Sequence, residues 1–262
     1  MNLYSQTRST QGAIMKDFTR FAAERFHRRR GPSHQKGAAM VEFAIVSPFA
    51  LLLVFGIIQL GLILAAKQIV NEAAFLGARA GSVQHAQKSE MMKVMTKALV
   101  PFYQDTTIKN NDVWRLADAL GKAKSETDPL FCTPNCFLDV QVLNPSDAAF
   151  QDFGLVDSAN HTYIPNDNLD FRHSAPGANS GYTIQDANAL KIKVTYGYQL
   201  KVPLMRSVIS SVMCGIGSGV DAFGNGNPTV NAPADDCSTY YNQGRIPIVA
   251  YATVQMQSDA WQ

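Results

Sequence analysis

The chain has 262 residues, 46% of them hydrophobic and 17% charged, with a formal net charge of +2. That is the composition of an ordinary folded protein and excludes a wholly disordered or low-complexity chain. The charge is unevenly placed: residues 1–37 hold eight Lys or Arg against Asp17 and Glu24, a net of +6, and the remainder carries a net of −4.

The polar, basic residues 1–36 come first. Residues 15–26 have the spacing of a short amphipathic helix able to lie on an inner membrane surface; a leader without fixed structure is the simpler reading. The run "HRRR" could serve as a nucleic-acid patch. Its place before an apolar stretch assigns it to topology instead, because a basic flank holds its end of a span in the cytoplasm.

That stretch is the strongest signal in the chain. Phe43 to Ala66 contains no charged side chain, and a helix needs about 20 such residues to cross a bilayer core. A secretory signal has a shorter apolar region followed by small residues. Here Gly37-Ala38-Ala39 precede the apolar run, so cleavage at the glycine would leave the span on the mature protein. The helical pattern continues beyond Ala66. Ile69, Ala73, Leu76, Ala80 and Val83 form one stripe. Val70, Ala74, Gly77 and Gly81 form a row beside it, small enough for another backbone to come close. One helix over 38–82, about 67 Å long, is expected, apolar all round in its first half and amphipathic in its second. Pro48 should kink it or open it locally.

A second helix is expected over 88–100, stopped by Pro101, with Met91, Met95, Ala98 and Phe102 at helical spacing and the methionines turned to a core; copper ligation by the methionines is the rival reading. A third is expected over 112–122. The period then changes to two. "FLDVQVL" alternates Leu138, Val140 and Val142. "ALKIKVTYGYQLKV" sets Leu190, Ile192, Val194, Tyr196, Tyr198, Leu200 and Val202 on one face. "IPIVAYATVQMQ" does the same with Ile246, Ile248, Ala250, Ala252, Val254 and Met256. These are half-buried antiparallel strands, expected to form a small sheet wrapped on the distal half of the long helix. Two polar loops, 144–186 and 215–244, lie between them and are candidates for recognition.

The four cysteines, Cys132, Cys136, Cys214 and Cys237, all follow the span. An even count beyond a membrane points to disulfides. Cys132–Cys136 with Cys214–Cys237 is the simplest of three connectivities, and a zinc site is the rival reading. Asp221, Asn225, Asn227, Asp235 and Asp236 offer oxygens to calcium but depart from EF-hand spacing. Asn160-His161-Thr162 fits a glycosylation sequon. "CGIGSG" lacks the Lys-Ser/Thr of a phosphate loop. No triad or paired-carboxylate arrangement stands out, so nothing argues for an enzyme or for a cofactor.

The basic leader, Lys36-Gly37, Ala38 and Glu42 together resemble the leader of type IV pilin-like proteins, in which a prepilin peptidase cuts after the glycine. "GAAMVEFAIVSPFALLLVFGIIQLG" and "QIVNEAAFLGARAGS" resemble the TadE-like family of the tight-adherence Flp (type IVb) pilus system, and "ALKIKVTYGYQLKVPL" resembles its later sheet region more loosely. The family often carries an acidic residue before the glycine at position 61, where this chain has Gln59-Leu60. The resemblance implies a pilin-like α+β fold: a leader over 1–37 that is removed, a transmembrane helix over 38–66 and an extracytoplasmic domain over 67–262. It implies a minor pilin or pseudopilin of the bacterial inner membrane, its C-terminal domain periplasmic or on the pilus. Its partners would be a prepilin peptidase, other pilins and the inner-membrane assembly machinery, with no nucleic acid. Gly37 and Ala38 would serve processing. Glu42, fifth in the cleaved chain, would pair with the Ala38 amine of a neighbouring subunit. The alternative is a single-pass anchored receptor or adhesin, in which Glu42 is only an interfacial residue.

Overall fold

The computed structural model describes residues 36–105, 107, 112–132, 136–158, 160–214, 237 and 239–262. The expected 15–26 helix and the candidate calcium ligands lie outside these residues. The chain divides into two compact units, residues 1–51 and 52–262. What is described of the first is helical throughout.

The long helix α1 spans Lys36–Val83 and runs unbroken through Pro48. The proline removes one backbone donor, and the apolar helix formers on either side keep the remaining ladder. In the second unit one stripe of α1 is buried: Gln59, Ala66, Val70, Ala73, Ala74 and Ala78, closed by Ser82. Helix α2 (Lys88–Ala98) lies on this stripe through Met91 and Met95, both fully buried, while Lys93 and Lys97 face outward. The methionines are therefore core. Helix α2 ends two residues before the expected Val100, and Val100–Tyr103 continue as a tight 3-10 turn. Pro101 disfavours the α conformation in the residue before it, which explains the early stop.

The row of small residues on α1 works differently from expectation. Side chains fill it, not a second backbone. A Cβ on Gly77 would overlap Met95, and one on Gly81 would lie 2.7 Å from Met91 Sδ and 2.9 Å from Leu190 Cδ2. The glycines form a groove that the α2 methionines occupy.

Helix α3 (Asp112–Thr127) extends past the expected Lys122, because Ala119, Ala123 and Thr127 carry the buried row onward at a spacing of four. Thr127 Oγ1 lies 2.8 Å from Thr96 Oγ1 of α2. The main sheet has three antiparallel strands in the order β1 (Leu138–Asn144), β4 (Ala189–Gln199), β5 (Arg245–Gln255). Val140 opposes Val194, and Val194 opposes Ala250, so the three apolar faces expected from the alternation form one surface. That surface shares a single core with α1 and α2. Beyond β5, the Gln257 and Ser258 N–H groups donate to Ser82 O at 2.8 and 3.0 Å, capping the end of α1.

Other elements were not expected. Within 144–186 lie α4 (Asp147–Phe153), α5 (Ile184–Ala187) and strands β2 (Leu155–Val156) and β3 (Thr162–Ile164). Strand β6 (Ala260–Trp261) joins β3 and β2 in a second antiparallel sheet. Ser146 caps α4, and a Thr183–Asp186 capping box opens α5. Helix α6 (Pro203–Cys214) begins where the second expected strand, which ran to Val202, was to end; Pro203 at its first position suits a helix start.

Candidate functional site: the apolar half of the long helix and its seat

From Met40 to Ile58 the large apolar side chains of α1 are exposed on every side: Met40 is 76% exposed, Phe49 72%, Leu53 60% and Ile58 49%. A helix apolar all round needs an apolar surrounding, and this one is long enough to cross a bilayer. The stretch is compatible with a single-pass membrane anchor. Gly37 and Ala38 lie in the first turn of α1, and Glu42 follows on the same helix with an exposed side chain.

The exposed stretch ends at a specific contact. Gln59 is 1% exposed. Its Oε1 accepts the Val202 N–H at 3.0 Å, and its Nε2 has no partner among the described residues. One turn on, Ile63 packs on the core, and Ala66 and Val70 follow. Lys67, the first charge after Glu42, donates from Nζ to Val249 O at 3.1 Å. The sequence reading noted Gln59 only as a departure from the family pattern. Its neighbour Val202 is 143 positions away, and nothing local announces that distance.

The cysteines form two disulfides, Cys132–Cys136 and Cys214–Cys237, so the thiolates of a zinc site are absent. Among the described residues no group of His, Cys, Asp and Glu could hold a metal. Asn160, with φ +64°, sits in the turn between β2 and β3.

A polar cluster, unanticipated, lies where α3 meets the sheet. Arg245 donates to Glu126 Oε2 at 2.8 Å and to Gly197 O at 2.9 Å, with its guanidinium 3.8 Å above the Phe137 ring. Tyr103 donates to Glu126 Oε2 at 3.0 Å, and Tyr196 donates to Tyr103 at 3.0 Å. A cleft of about 360 Å³ opens over them. Burial pushes the Tyr196 hydroxyl up to about 12, and burial again, then Tyr196, pushes Tyr103 far above the usual tyrosine range. Both phenols stay neutral, as donors in a chain that ties α3 to β4 and β5.

The fold is thus that of an anchor-like apolar helix whose far half is the core of its own α+β domain. The model of the family described as TadE-like protein matches residues 37–79, which are nearly all of α1. Neither a curated protein nor a solved structure matches the chain. The match and the apolar helix support a Tad-pilus-associated protein.

Proposed function

We propose that this chain is a minor pilin or pseudopilin that serves assembly of Flp (type IVb) pili. A prepilin peptidase cuts between Gly37 and Ala38 on the cytoplasmic side. The span then begins at Ala38 in the inner membrane, and the domain from about residue 67 lies in the periplasm or on the pilus. The observation that supports this reading most is where the family match falls. Residues 37–79 carry Gly37, Ala38 and Glu42 together with the whole exposed apolar stretch. A carboxylate at the edge of a bilayer is costly unless it is paired. Cleavage supplies a partner, the new amine at Ala38 of an adjacent subunit, and the pair would fix the axial register of bundled helices.

The test is the N-terminus of the membrane-extracted protein, read by mass spectrometry from cells with and without the cognate peptidase. A chain starting at Ala38 only when the peptidase is present is the expected result. An intact leader in both strains overturns the proposal and leaves an ordinary anchored receptor or adhesin. Glu42→Gln should preserve cleavage and impair assembly.

A further inference from the structure

Strand β5 is an edge of the main sheet, and its register assigns every hydrogen-bonding group along it. Leu200 N–H donates to Gly244 O at 3.0 Å, and Met256 N–H to Asn188 O at 2.8 Å. Both pairs keep the unbroken register of β4 and β5, in which Ile248 opposes Tyr196 and Val254 opposes Leu190. The even-numbered residues of β5 therefore bond to β4. The N–H and C=O groups of its odd-numbered residues point away from the sheet.

Helix α1 closes this outward edge at two places. Lys67 Nζ donates to Val249 O at 3.1 Å, and Gln257 N–H, just past the strand, donates to Ser82 O at 2.8 Å. Before the first closure, Pro247 has no N–H to offer. Between the two closures stand Tyr251, Thr253 and Gln255, all with exposed side chains. Their outward backbone groups meet no hydrogen-bonding partner among the described residues. The opposite edge, β1, lies against α2 and α3. Open edges are usually guarded by charged side chains, yet none from Ile246 to Ser258 is charged. The stretch "AYATVQ" is uncharged, free of proline and suited to pairing with another strand.

The open window is symmetric. Thr253 is equally far along the chain from Val249 and from Gln257. A two-fold axis through it sets Thr253 against its own copy, Tyr251 against Gln255 and Ala252 against Val254. The outward groups then bond one another through about six N–H···O bonds, and both closures fall outside the paired stretch. No like charges are opposed. A foreign strand has no need of that symmetry; a second copy does. We propose that two copies of this chain pair antiparallel through residues 251–255 of β5, joining their sheets into one. The contact lies wholly within the α+β domain and needs no leader cleavage.

Sedimentation equilibrium of the detergent-solubilised full chain tests this with Thr253→Lys and Thr253→Glu. Each sets like charges at the two-fold axis and leaves the ladder to β4 untouched. The unsubstituted chain should be a dimer, and either variant alone should dimerise about ten-fold or more weakly. An equimolar mixture of the two should dimerise again, which a misfolded variant could not do. In native membranes Thr253→Cys should crosslink to its own copy through a short bismaleimide, and Gln141→Cys, on β1, should not. A monomeric unsubstituted chain, a dimer that both variants leave intact, or a mixture that stays monomeric overturns the proposal. Crosslinking of Thr253→Cys to a different protein alone gives the edge to a foreign strand and overturns self-pairing.

Discussion

Gly77→Ala tests the groove that holds the domain on α1. Met95 is fully buried, and a Cβ at position 77 would overlap its Cε, lie 2.7 Å from its Cγ and 3.1 Å from its Sδ. Movement of the terminal methyl alone cannot relieve this, since Cγ is also too close, so the whole side chain must be displaced. Overpacking of this kind costs about 1–3 kcal/mol. The better helix propensity of alanine returns about 1 kcal/mol, leaving a net loss of about 0–2 kcal/mol. The background sharpens the test. Met95→Ala costs about 2–5 kcal/mol by itself, but it removes the obstacle. On that background Gly77→Ala keeps only the propensity gain and should stabilise by up to about 1 kcal/mol. The double-mutant cycle should therefore show an interaction of about 1–3 kcal/mol. Chaotrope unfolding of the detergent-solubilised full chain, followed by near-ultraviolet circular dichroism, reads all four variants. An effect of Gly77→Ala equal on both backgrounds to within about 0.5 kcal/mol refutes the groove.

Two further outcomes follow from the polar contacts. Glu126→Gln leaves the buried Arg245 without its carboxylate. Glu126 is itself near a third exposed, so the expected loss is discounted to about 1–3 kcal/mol, and Arg245→Met placed on top should recover most of it in the same unfolding assay. At the surface, hydrogen bonds from Ser180, hydroxyl foremost, and then from Asn179 hold the Asp152 carboxyl down at about 2. Its ordinary value is 3.8, and a depressed carboxylate adds stability that is present above that value and lost as the pH falls through about 2. Amide exchange at Asn179 and Ser180 should accelerate over that window, and Asp152→Asn should remove the acid dependence.

Much of the fold is legible in the sequence where one face of an element is buried and the other wet. Strand β4 shows this best: Leu190, Ile192, Val194, Tyr196 and Tyr198 alternate in the sequence, and every one is buried. Helix α1 is legible for a different reason, the length of its uncharged run. Strands β2, β3 and β6, of two or three residues, are too short to express a period. Helix α6 was not expected, because it follows directly on an alternation that runs to Val202. The Gln59–Val202 and Glu126–Arg245 contacts join residues 143 and 119 apart, and chemistry at such separation leaves no local trace. The proposed processing at Gly37 and pairing at Glu42 rest on a family pattern alone, since both need a second molecule.

The cap on α1 has a consequence for the order in which the domain is made. The early end of α1, at Ser82, and the late residues Gln257 and Ser258 just beyond β5 are direct neighbours. During synthesis about 170 residues must emerge between them, and such long-range closure is slow. Until then the Ser82 carbonyl stands open. If the first half of α1 is held in a membrane, as proposed, it also tethers the second, so that the waiting core stays attached to one surface instead of meeting other unfinished chains in solution.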